Sequence, residues 1–465
     1  MPSDDEDIKK GNTRMQWMLT LLVNGASLTY GFEIGWMSPT ARLLQSAQSP
    51  IGGIISDSDL AWIASIINLS AILGVIIFRY ITDKYGRKIG ILWLAFPQLI
   101  SWIMKVVYPT TTTLVISRLF GGVASGGLFL CVPIYVKEIS QDDIRGSLAV
   151  LLPVVQYIGV IIMYALGAYL DYYYVVYSVI GVPVLVTLLL LRAPESPAFL
   201  VKRGKVDEAR EIVAFLRGLH KNDSTVTNEV AAMEKADEVY KSLPEVSTKD
   251  IMFKDRKWRR WIYLISILFI LRAMNGTLSI QTYALSVLLS TGSTYSVSPE
   301  ILTFTFPIVM IITALLLTTV VERFERKRLL CFAHVVTAAS MVVLAAVPLL
   351  QQANVQISGW LPLSLIIIIS AMFSGGVSPL PFILLTEMFT FEIRAKVLGI
   401  VSWYAWLFIF IITFLHPILM SQVGSSNTFF VYAAFNIIAG IFTLIFLPKT
   451  RGKSEAEIKR TMGTT

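Results

Sequence analysis

Long apolar runs alternate with short polar turns along this chain, and the runs are near the ~20 residues a helix needs to cross a bilayer. About twelve of them read as membrane helices. They lie at 15–38, 59–80, 88–108, 112–136, 147–170 and 173–192 in the first half. The second half supplies 259–290, 300–321, 329–350, 359–386, 396–421 and 426–447. The pattern predicts an all-α membrane protein of twelve transmembrane helices in two pseudo-symmetric six-helix bundles. Between the sixth and seventh runs lies the one long polar segment, roughly Arg192 to Arg260. Its Val206, Ala209, Ile212, Val213 and Leu216 recur at helical spacing, which predicts short amphipathic helices on a cytoplasmic surface. The expected divisions are therefore 1–192, a linker 193–258, a second bundle 259–447 and a tail 448–465.

The polar turns repeat between the halves. Asp83-Lys84-Tyr85-Gly86-Arg87-Lys88 between runs two and three matches Glu322-Arg323-Phe324-Glu325-Arg326-Lys327 between runs eight and nine. Glu138 and Arg145 follow run four, and Glu387 and Arg394 follow run ten, each offset by 249 residues. Two similar halves around a midplane site is a common secondary-transporter plan. The cations of these turns place them on the cytoplasmic side. Acids and arginines at those helix ends are expected to pair across the bundle when that side is shut. A partly desolvated pair contributes a few kcal/mol, against roughly 0–1 for a surface pair. The predicted cytoplasmic gate is Arg87, Glu138, Arg145, Arg326, Glu387 and Arg394, with Asp83 and Glu322 supporting. The alternative is that these charges only hold topology.

Composition narrows the class. With 465 residues, 55% hydrophobic, 15% charged and mean hydropathy +0.67, a soluble globular chain is excluded. The net charge of +8 sits in short loops, so no nucleic-acid partner is expected. Cys131 and Cys331 define no disulfide framework, and His220, His334 and His416 fit no metal-ligand spacing. No nucleophile arrangement or phosphate loop appears, so no enzyme and no cofactor are expected. The acidic start, Asp4-Asp5-Glu6-Asp7, is unlike a signal peptide, so the first run is expected to remain as a membrane helix. The polar, basic tail from Pro448 and the even number of spans place both termini inside. The expected partners are the lipid bilayer and a small-molecule solute, with the chain acting as a monomer.

The loops resemble the sugar-porter family of the major facilitator superfamily. The resemblance rests on 83–88, on Tyr135-Val136-Lys137-Glu138 with Arg145-Gly146, and on Pro194-Glu195-Ser196-Pro197. It continues in Val321-Glu322-Arg323, Thr386-Glu387-Met388-Phe389 and Pro448-Lys449-Thr450-Arg451-Gly452. Gly35-Trp36-Met37-Ser38-Pro39 is similar to the insect branch that includes facilitated trehalose transporters. The resemblance implies the major facilitator fold and a small sugar, trehalose or a hexose, moved across the plasma membrane by alternating access.

Aligned on Gly276, the family's two glutamines of span seven fall on Arg272 and Ala273, its span-eight asparagine on Met310 and its span-ten acid on Ser374. The remaining solute-binding candidates are Gln156, Gln281, Tyr283, Ser374, Phe382 and Trp406. Tyrosine and tryptophan also serve as packing or interface anchors, and Arg272 reads as a snorkelling cation. Glu33 falls where proton-coupled members carry an acid, and Arg118 matches its arginine partner. An acid inside an apolar helix is a functional candidate, so Glu33 and Arg118 are read as a proton-coupling pair, with a static tie between helices as the alternative. Rival readings are a same-fold transporter of a non-sugar polar solute and a solute sensor that does not transport.

Overall fold

The computed structural model describes residues 11–242, 256–321, 323–389 and 391–448. Glu322 and the tail from 449 onward, with its Lys449-Thr450 match, lie outside the described residues. Among the described residues, eleven helices are long and apolar enough to cross a membrane. In chain order they are spans 2 to 6: Asp57–Tyr85, Arg87–Val107, Thr111–Ile139, Asp142–Tyr169 and Tyr172–Leu190. Spans 7 to 12 are Trp258–Thr282, Pro299–Val320, Arg326–Gln352, Trp360–Met388, Ile393–Gln422 and Gly424–Phe446. Span 1, Arg14–Val23 followed by Gly25–Leu44, precedes them and is less apolar because it carries Asn24, Glu33 and several hydroxyls. The linker supplies three helices, Pro197–Lys202, Val206–Arg217 and Ser224–Ser242, in keeping with its amphipathic pattern.

Two spans depart from the expected limits. Span 1 runs six residues past the expected end at 38, through Pro39 to Leu44. The proline forfeits one backbone bond, and its ring fills the space left by Gly167 of span 5. Span 7 is not one helix over 259–290. It stops at Ala273, resumes over Thr277–Thr282 and again over Ala284–Ser290. Gly276 at the first break has φ +89°, in the left-handed region that only glycine enters freely. A Cβ there would lie 2.5 Å from the Tyr432 ring. Asn436 of span 12 secures the break by donating to the Asn275 carbonyl at 3.0 Å.

Close helix crossings depend on missing side chains. A Cβ at Gly126 of span 4 would stand 1.9 Å from the Ala71 carbonyl of span 2. One at Gly31 of span 1 would stand 2.1 Å from the Gln156 carbonyl of span 5. These crossings build the first half, as small residues do between membrane helices.

The apolar core shows how the halves meet. At the face opposite the linker, here the far face, one cluster joins both halves: Trp36, Ile63 and Trp102 with Tyr283, Leu288 and Phe429. Toward the linker face the core divides. One cluster belongs to spans of the first half, with Phe78, Leu128 and Tyr135; the other to the second half, with Phe269, Leu384 and Val401. The halves therefore touch at the far face, touch again at mid-depth where Tyr157 packs with Met310, Phe373 and Val377, and part toward the linker face. Trp62 of span 2 meets Phe414 of span 11 at 5.0 Å on the far side. The Leu285 N–H donates to Ser38 Oγ at 3.1 Å, and the Tyr164 hydroxyl to the Gln281 carbonyl at 2.7 Å. Both bonds cross between halves.

Candidate functional site

Glu33 is fully buried and faces spans 3 and 4. Its carboxylate accepts from Lys105 Nζ at 2.8 and 2.9 Å, from Arg118 Nη1 at 2.9 Å and from the Ser101 hydroxyl at 2.8 Å. The expected Glu33–Arg118 pair is present, and Lys105 completes a triad. Lys105 stands two residues before span 3 ends, where a cation reads from sequence as an interfacial anchor. Instead it turns inward, with its ammonium 3.9 Å from the Trp102 ring centre and 4.9 Å from that of Trp36. Arg118 also donates to the Ile63 carbonyl at 3.1 Å, which ties span 4 to span 2.

Nearer the midplane, Arg272 of span 7 donates through Nε to the Ser378 carbonyl at 3.0 Å and through Nη2 to Ser378 Oγ at 2.9 Å. Its guanidinium lies 5.2 Å from the centre of Phe382, which stands edge-on to Phe269 at 4.8 Å. Phe382 keeps more than a third of its surface open. Tyr30 and Tyr157 of the opposite half lie within electrostatic reach of Arg272. Ser374 sits on a π-helical turn of span 10, Phe373–Val377, donates to the Met310 carbonyl at 2.7 Å and lies beside Tyr157. Such single-turn irregularities often mark functional positions. Trp406 is half-buried against Phe129 of the first half at 5.6 Å. Gln156 is half-buried. The Gln281 side chain is buried, and its Nε2 has no protein acceptor among the described residues. Tyr283 is placed apart from these, buried in the far-face core and stacked on His416 at 4.9 Å.

At the linker face, Arg87 forks onto Glu138 with bonds of 3.0 to 3.2 Å, and Arg326 Nε meets Glu387 at 3.1 Å. These are equivalent pairs, one per half. Arg145 donates to the Ser140 carbonyl at 3.2 Å, and Arg394 to the Phe389 carbonyl at 3.0 and 3.1 Å. Ser140 and Phe389 are themselves 249 residues apart, so the duplication reaches individual hydrogen bonds.

A profile described as "Sugar (and other) transporter" matches residues 19–462. The chain belongs to that family. Among its relatives, the facilitated trehalose transporter Tret1 of Bombyx mori is 26% identical over 456 residues, covering 97% of this chain and 87% of the relative. The Aedes aegypti protein of the same name is 25% identical over 96% of this chain, which spans 55% of that longer relative. The inward open structure of the xylose transporter XylE from E. coli superposes with a TM-score of 0.78 at 20% identity, over 96% of this chain and 99% of that one. That likeness establishes the major facilitator fold of twelve helices in two bundles.

In this transporter the ion pairs differ from the expected gate in one respect. Among the described residues they join groups of the same half, and none crosses the bundle. The reason is the hairpin geometry: span 3 begins beside the end of span 4, and span 9 beside the end of span 10. Arg145 takes Asp142 at 2.6 Å, three residues away, and Asp83 lies exposed 4.0 Å from Arg79 rather than on Arg87. Glu195, in the Pro194–Pro197 loop that resembles the family, accepts backbone N–H from Arg87, Lys88 and Ser196 at 2.8 to 3.0 Å. Burial pushes its carboxyl above the usual range, against the pull of those three N–H groups and of Arg87. The linker also docks on the first half, with Arg217 donating to the Ile139 carbonyl at 2.9 Å.

Proposed function

We propose that this transporter carries a small sugar, with trehalose and hexoses as reference solutes, across the plasma membrane by facilitated alternating access. The observation that carries the reading is the core shared at the far face and divided toward the linker face. That arrangement leaves the midplane groups Phe382, Trp406, Gln156, Gln281 and Ser374 between two bodies able to rock. In this reading residues 1–192 and 259–447 are the rocking units. The linker 193–258 and tail 448–465 face the cytoplasm, as their cations favour, and the chain works as a monomer in the lipid bilayer. The amides and Ser374 meet sugar hydroxyls, the aromatic rings take the apolar sugar faces, and Tyr283 backs the site from the far-face core. Rocking back opens the far face by releasing the Tyr164–Gln281 and Ser38–Leu285 bonds. The linker-face ion pairs stiffen each half through the cycle.

The relatives' names speak of facilitated trehalose transport, and the Glu33 triad favours the same driving force here. Protonating Glu33 removes the counter-charge that, among the described residues, Lys105 and Arg118 share, leaving two buried cations face to face, a costly state. Glu33 is then a static tie rather than a proton carrier. Purified protein in proteoliposomes tests this. Expected are saturable uptake and counterflow of labelled trehalose and glucose with no response to an imposed pH gradient. Accumulation driven by that gradient sinks the facilitated reading. Flux no greater than protein-free vesicles sinks transport and leaves a solute sensor, and flux of a non-sugar polar solute alone moves the reading to that solute.

A further inference from the structure

Arg272 lies eleven residues beyond Trp261, the interfacial aromatic at the start of span 7. At ~1.5 Å per residue that is about 16 Å along the axis, near the middle of a ~30 Å hydrocarbon core. The side chain does not run back toward the interface. It bonds sideways to Ser378 of span 10 and lies over Phe382. Among the described residues no carboxylate lies within ion-pair distance of it, Glu33 being held by Lys105 and Arg118. A guanidinium has five N–H donors, and only two of those on Arg272 have protein acceptors among the described residues. Part of the side chain is uncovered. Tyr30 is within electrostatic reach of both Arg118 and Arg272, so the triad and Arg272 act on one region. Among the described residues, that interior sets three cations, Lys105, Arg118 and Arg272, against the Glu33 carboxylate.

Unpaired charge inside a membrane protein is expensive and is retained where function needs it. We infer that Arg272 makes the midplane site an anion site, and that among the sugars it takes, a hydroxylated carboxylate, a sugar acid, is preferred over its neutral counterpart. The inference rests on the transport reading for its place in the cycle. The open N–H groups match a planar carboxylate, Phe382 holds its ring 5.2 Å from the guanidinium, and Tyr30 and Tyr157 of the opposite half lie within its electrostatic reach. A carboxylate arriving there also bridges the two halves through one charge.

The test is equilibrium binding to the purified full-length protein in detergent, using D-glucuronate, its neutral isostere D-glucuronamide and D-glucose. Wild type is expected to bind glucuronate at least about tenfold more tightly than the amide. Arg272→Gln is expected to collapse that difference, and Arg272→Lys to keep part of it. Equal affinity for glucuronate and glucuronamide, or no measurable glucuronate binding, overturns the inference, and so does an unchanged preference in Arg272→Gln. The wild-type comparison needs no variant, so a misfolded mutant does not spoil it. Binding in detergent reads the anion site and vesicle flux reads transport, so the two proposals fail separately.

Discussion

Lys105 shows how much one side chain's direction matters. Its place near the end of span 3 fits an interfacial anchor, yet its ammonium closes on Glu33 beneath Trp36 and Trp102. The triad carries one net positive charge, so its members are not equivalent. Glu33→Gln leaves two buried cations without a partner and is expected to cost about 3–5 kcal/mol. Lys105→Met leaves a balanced Glu33–Arg118 pair and is expected to cost clearly less. Thermal unfolding of the purified variants checks the order, and a reversed order dismisses the charge argument. Lys105→Met also leaves Glu33 with a single cation, as in a switchable pair. Uptake by that variant is expected to gain a dependence on external pH that wild type lacks, measured in vesicles at two pH values.

Among the elements, span 7 has the least regular backbone. Its break at Gly276 bends a helix whose first part presents Arg272 and whose later parts present Gln281 to the site and Tyr283 to the far-face core. Gly276→Ala places a Cβ at φ +89° against the Tyr432 ring. Strain of about 1–3 kcal/mol is expected, visible as a lower melting temperature and slower sugar uptake. The linker-face pairs make a second case. Because Arg87 and Glu138 belong to one half, Glu138→Gln is expected to soften that half by about 1.5–3 kcal/mol without changing how open the linker face is. A reporter cysteine at Phe382 is therefore expected to label at the wild-type rate in a background lacking Cys131 and Cys331. Faster labelling with unchanged stability restores a cross-bundle gate.

For the molecule as a whole, the balance between faces rests on the contacts that join the halves. Removing the Tyr164 hydroxyl and the Ser38 hydroxyl deletes two cross-half hydrogen bonds at the far face. At about 1 kcal/mol each, Tyr164→Phe with Ser38→Ala is expected to raise the far-open population by roughly tenfold or more. A cysteine at Leu288, buried in the shared core, reports the change through faster reaction with an impermeant maleimide. No gain in rate means that apolar packing alone holds the far face shut.

Length and hydropathy were enough to predict the spans, their duplication and the amphipathic linker, because a bilayer demands long apolar helices and these print a strong one-dimensional pattern. The acids and arginines of the turns were also legible, since charges between apolar runs have few places to go. Which of them pair was not, because Arg87 and Glu138 are 51 residues apart and their meeting depends on how hairpins pack. The inward turn of Lys105 and the breaks in span 7 were decided by neighbours from other spans: Glu33, Trp36, Asn436 and Tyr432. The open donors of Arg272 are likewise a tertiary fact. A sequence shows that a cation lies in an apolar run, but only the folded arrangement of surrounding helices leaves that charge without a carboxylate among the described residues.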